Sequence, residues 1–71
     1  ALLAQDTREE LLEAIRLLPE KERMVVSLYY GEELTMKEVG KTLKITESRV
    51  CQLHTQAILR LKGMMGVHSK Q

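Results

Sequence analysis

Cys51 and His54 stand three residues apart, and a thiol near an imidazole is raw material for two chemistries. The first is metal binding. A structural zinc site takes four ligands, yet the sequence adds only His68, close to its end, and no second cysteine. The second is attack by a thiolate. That needs a third group to orient the base, and no such residue is spaced to serve. The expectation is therefore no catalytic residue, no metal, no cofactor, no small-molecule substrate and no enzyme. Cys51 reads better as a small exposed side chain, and His54 as one that packs at the edge of a buried stripe.

A different chemistry fits the residues around that pair. At about 100° per helical residue, Ser48, Cys51, Gln52, Thr55 and Gln56 share one face, flanked by Glu47 and Arg49. Short polar groups and amides prevail there, whereas an ordinary solvated helix carries interleaved charges. Gln pairs bidentately with adenine, Arg with guanine, and Glu accepts from cytosine N4. Each good base contact of this kind contributes about 1–3 kcal/mol of discrimination, so the face is a candidate base-reading surface. Leu59 projects beside this face two turns on, either as an isolated exposed leucine or as part of a partner surface.

Such a face must be presented by something. Thr46 is placed to cap a helix from about Glu47 to Lys62, with Val50, Leu53, Ala57 and Leu61 on its apolar stripe. Upstream, Thr35 and Glu38 have capping-box spacing, and Met36, Val39, Gly40 and Leu43 share a face of a two-turn helix. Lys44 ends that helix, and Ile45 in the turn points back to the core. Apolar, small, apolar, an apolar turn residue, then two apolar residues three apart is a helix-turn-helix pattern. Gly40 lies where the two helices cross. Lys44 stands where many such turns have Gly, because the backbone there goes left-handed, at a cost of roughly 1 kcal/mol for a side chain.

The rest of the chain reads as support. Thr7 and Glu10 suggest a capping box for a first helix over about 7–18, with Leu11, Ile15 and Leu18 inward and Leu12 widening the stripe. Pro19 starts a second helix over about 19–30, with Met24, Val25, Leu28 and Tyr29 inward, Val26 and Tyr30 marginal, and Gly31 as C-cap. Leu34 is expected beside Val39. Residues 1–6 read as a linker end. In 63–71, two glycines argue for a tail. The expectation is one all-α domain over 1–71: a four-helix, winged-helix-like helix-turn-helix without a wing, the motif occupying about 35–62.

Composition narrows the class. Seventy-one residues support one small domain or a segment of something longer, and a first residue of Ala rather than Met favours the segment. One cysteine permits no internal disulfide and fits a reducing cytoplasm. No apolar run is long enough to cross a membrane. The net charge of +1 hides an asymmetry. Residues 1–34 carry four basic and eight acidic groups, and residues 35–62 carry six basic and two acidic. A nucleic-acid face on the second half is what that distribution favours.

The motifs Leu18–Arg23 (LPEKER), Glu33–Gly40 (ELTMKEVG) and Glu47–Ile58 (ESRVCQLHTQAI) resemble the C-terminal promoter-reading domain, region 4, of bacterial sigma factors. The flagellar class is most similar, and the likeness covers about Glu9 to Lys62. That resemblance implies major-groove reading of the upstream (minus-thirty-five) promoter element, docking on the β-subunit flap of RNA polymerase, and an anti-sigma factor as a further partner, in the bacterial cytoplasm at the nucleoid. It implies base contacts from Glu47, Ser48, Arg49, Cys51 and Gln52. Backbone or edge contacts would come from Thr35, Lys37, Lys41, Lys44, Thr46 and Thr55. Many housekeeping sigma factors carry Arg where Cys51 stands, and the flagellar class reads an A-rich hexamer, which suits Gln52.

Two other readings use the same residues. An output domain of a two-component or quorum-type regulator has a similar four-helix form and would bind palindromic DNA as a dimer. A helical protein-interaction module would use the basic face for an acidic partner and show no DNA sequence preference.

Overall fold

A computed structural model describes residues 5–65, with side chains from residue 8 onward. The expected linker residues 1–4, and His68 with the rest of 66–71, lie outside the described residues. Four helices follow one another: α1 Gln5–Arg16, α2 Glu20–Val26, α3 Met36–Leu43 and α4 Glu47–Met64. The described residues are all-α, and α3–turn–α4 is a helix-turn-helix.

Two small cores hold these helices, and α4 joins both. Val25, Val39, Val50 and Leu53 form the first, with Leu28, Tyr29, Leu34, Met36, Leu43 and Ile45 around it. Ala14, Leu18, Val26, Ala57 and Leu61 form the second, with Ile15, Ile58 and Met65 packed against it. Adjacent Val25 and Val26 therefore serve different cores. The segment from α2 through Tyr30 runs antiparallel to α4: Glu22 meets Arg60 at one end and Tyr30, in the turn that follows α2, meets His54 at the other.

Several local expectations are corrected. The helix α1 already includes Gln5, so Thr7 lies inside it instead of capping it. Its buried contact is Ala14, at 5 % exposure, whereas Leu11 and Leu12 remain exposed. A small residue at the contact lets α1 approach closely. In α2, Val26 is core and Met24 is exposed, the reverse of the expected order. Beyond Val26 the chain widens into a π turn over Ser27–Gly31. Gly31 sits inside that turn, and the left-handed residue is Glu33, at φ 59°. The Leu34 N–H then reaches back to the Leu28 carbonyl at 3.1 Å, bringing Leu34 onto the first core as expected.

At the far end α4 continues through Gly63 and Met64, past the expected boundary. A late helical Gly costs roughly 1 kcal/mol relative to Ala. Here Met65 packs on the second core and its N–H donates to the Leu61 carbonyl at 3.0 Å, so the last turn has support.

Candidate nucleic-acid interface

The turn that aims α4 is specified residue by residue. Thr35 Oγ1 accepts from the Glu38 N–H at 3.1 Å, and the Thr35 N–H donates to Glu38 Oε1 at 2.8 Å, a complete capping box. At the other end of α3, Lys44 adopts φ 61°, ψ 43°. Its N–H donates to the Lys41 carbonyl at 3.3 Å, and the Ile45 N–H to the Gly40 carbonyl at 2.9 Å. That pair of bonds is a Schellman motif, built on Lys where Gly is usual. Ile45 packs back onto the first core. Gly40 is required: a Cβ there would stand 2.8 Å from the Ile45 carbonyl oxygen and 3.5 Å from Val50 Cγ2.

Thr46 opens α4, its Oγ1 accepting from the Arg49 N–H at 3.1 Å. With Val50 and Leu53 fully buried, the opposite face is fixed outward. Glu47, Ser48, Arg49, Cys51, Gln52, Thr55 and Gln56 are all exposed. Cys51, Gln52, Thr55 and Gln56 line one shallow, open depression. Arg49 Nη1 donates to Gln52 Oε1 at 3.1 Å, a contact that the residue pattern alone did not suggest.

Lys37 and Lys41 lie one turn apart on α3, and Lys44 in the turn; all three are exposed. Among the described residues the ion pairs are Arg16–Glu13 and Arg60–Glu22, so none of these lysines is paired there. Thr35 and Thr46 spend their acceptor oxygens on caps and keep an O–H to donate.

Arg60 departs from the basic face on which its charge was counted. Its Nε and Nη2 donate to Glu22 Oε1 and Oε2 at 3.0 and 3.3 Å, joining α4 to α2. Glu22 is 3 % exposed. The hydrogen bond to Glu22, and then its charge, hold the Arg60 guanidinium protonated more firmly than usual, against a smaller opposing effect of burial. The available signal was a Glu on the stripe of Val25, Val26 and Tyr29, since a carboxylate in an apolar stripe needs a cation opposite.

His54 packs as expected. Its Nε2 shares a 2.7 Å hydrogen bond with Tyr30 Oη, and its ring stands edge-on to Tyr29 at 5.4 Å. Among the described residues no three His, Cys, Asp or Glu side chains cluster as a metal site would need.

The family model for sigma-70, region 4 matches residues 14–63, from the second half of α1 almost to the end of α4. The chain belongs to the sigma-70 region 4 family. This region 4 chain is 52 % identical over 65 residues to RNA polymerase sigma factor FliA of Escherichia coli K12, covering 92 % of the chain and 27 % of that relative. FliA of Pseudomonas aeruginosa is 48 % identical over 64 residues, 90 % of the chain and 26 % of the relative. RNA polymerase sigma-D factor of Bacillus subtilis is 46 % identical over 56 residues, 79 % of the chain and 22 % of the relative. These likenesses agree with the flagellar class that the residue pattern resembles. The chain thus spans about a quarter of the length of the curated relatives it matches. No solved structure matches it.

Proposed function

We propose that residues 1–71 form one DNA-binding domain that reads the upstream promoter element for a bacterial sigma factor of the flagellar class, directing RNA polymerase in transcription initiation. The exposed amide-and-hydroxyl face at the start of α4, presented by the Schellman turn, carries this reading. Glu47, Ser48, Arg49, Cys51 and Gln52 face the base edges. Thr35, Lys37, Lys41, Lys44, Thr46 and Thr55 hold phosphates and fix the register. The wider role is that of a transcription regulator, not an enzyme, acting in the cytoplasm at the nucleoid; that the relatives are RNA polymerase sigma factors supports the regulatory part of this reading. Its partners are double-stranded promoter DNA, the β flap of the polymerase and an anti-sigma factor. It takes no small-molecule substrate and no membrane, and no helix among the described residues is long and apolar enough to cross one.

Fluorescence anisotropy at low salt tests the DNA reading. Two labelled duplexes are titrated with the chain, one carrying an A-rich upstream hexamer and one scrambled. Tighter binding to the hexamer is expected, with a loss of about 1–3 kcal/mol of discrimination in Gln52→Ala. Equal, salt-sensitive binding to both duplexes would leave only a basic surface and sink the promoter reading.

A further inference from the structure

Arg49 and Gln52 are one turn apart on the exposed face of α4, and the guanidinium Nη1 donates to the amide Oε1 at 3.1 Å. Arginine has no acceptor. Only the oxygen of the amide can face it, so the usual ambiguity between the two ends of a glutamine side chain is removed. The Arg49 backbone is itself pinned, because its N–H donates to the Thr46 cap. Among the described residues no carboxylate forms an ion pair with Arg49, so no acidic side chain competes for the guanidinium.

We propose that Arg49 is a positioning residue for Gln52: it fixes the order of acceptor and donor that the amide offers to the groove, so the pair distinguishes an A·T from a T·A base pair. The inference rests on α4 being the recognition helix. Adenine presents N6–H as donor and N7 as acceptor in the major groove. The Gln52 oxygen, with one lone pair given to Arg49, keeps a second for N6–H, and Nε2 donates to N7. Reversing the base pair puts thymine O4 and its methyl group on that strand. An amide held in one sense then sets its oxygen against O4, acceptor on acceptor, and its nitrogen against the methyl, whereas a freely turning amide can donate Nε2–H to O4. Ordering one long side chain in advance is worth about two- to tenfold in the binding ratio.

The test is a double-mutant cycle read as specificity. The native chain, Arg49→Met, Gln52→Ala and the double variant are titrated by anisotropy into the A-rich hexamer duplex, a scrambled duplex, and a set in which each A·T pair is singly reversed. Arg49→Met keeps the stem and removes every donor. Its lost charge weakens binding to all duplexes alike and cancels in the ratios, which a merely structural defect would also leave unchanged. At one position the native chain should prefer A·T over T·A. Arg49→Met should reduce that preference about two- to tenfold there alone. Gln52→Ala should abolish it, and adding Arg49→Met to Gln52→Ala should change nothing further. An unchanged preference in Arg49→Met overturns the inference and leaves the recognition helix standing. So does an equal effect of Arg49→Met at that position with and without Gln52, which would leave Arg49 only the direct base contact proposed above. A native chain that binds hexamer and scrambled duplex alike overturns both.

Discussion

Removing Glu22 should hurt less than removing its more exposed partner. The Glu22 side chain is 4 % exposed and accepts two hydrogen bonds from Arg60, whose side chain is 51 % exposed. In Glu22→Ala the guanidinium swings into water and keeps its solvation. What is lost is the pair itself, and hydrogen bonds to charged groups contribute roughly 1.5–3 kcal/mol. Half-exposure of Arg60 screens the pair, which favours the lower part, so about 2 kcal/mol is expected. A domain of this size has on the order of 4–10 kcal/mol in total, and at roughly 4–8 °C per kcal/mol the Tm should fall by about 8–16 °C. Arg60→Met should cost more, because it leaves a buried carboxylate with no cation. Urea unfolding followed by circular dichroism measures both losses. Equal losses in the two variants would mean that water reaches the carboxylate freely, and the desolvation reasoning would be wrong.

Gly40→Ala should destabilise by about 1–3 kcal/mol because its Cβ meets the Ile45 carbonyl. Gly63→Ala, which has open space around it, should stabilise by up to about 1 kcal/mol, and thermal melts separate the two. Lys44→Gly should raise stability by about 0.5–1 kcal/mol at its left-handed position, while weakening DNA binding and lowering the magnitude of the log–log salt slope by about 1 as one phosphate contact goes. Tyr30→Phe keeps the ring and deletes the hydroxyl that meets His54; a loss of about 0.5–1.5 kcal/mol in urea unfolding is expected.

The helix-turn-helix was legible because its constraints are local. Thr35 and Glu38 lie three residues apart, Gly40 and Ile45 belong to one turn, and the left-handed backbone at Lys44 follows from a position in the motif. The outward face of α4 was legible for the same reason, since Val50, Leu53, Ala57 and Leu61 leave the other side free. Contacts between distant segments were not. Glu22 and Arg60 are 38 residues apart, and the apolar stripe that singles out Glu22 does not say which cation meets it. Alanine gives little signal of burial, and the larger neighbours of Ala14 dominate the apolar pattern although Ala14 is the buried residue. Whether Val26 or Met24 turns inward depends on how α2 is rolled against α4, which periodicity within seven residues does not fix. The Arg49–Gln52 bond is local but depends on side-chain rotamers, which spacing does not specify.

The division of the interior between two clusters has a kinetic consequence. α1 contributes only to the second, through Ala14 and Ile15, and leaves Leu11 and Leu12 exposed. Regions with few buried apolar contacts open at lower free energy than the core. Amide hydrogens of α1 should therefore exchange with solvent through partial openings that leave Val39, Val50 and Leu53 protected. The first half of α4, whose exposed face is proposed to read DNA, is seated on the cluster to which α1 contributes nothing, so the first helix can come loose while that face stays in register.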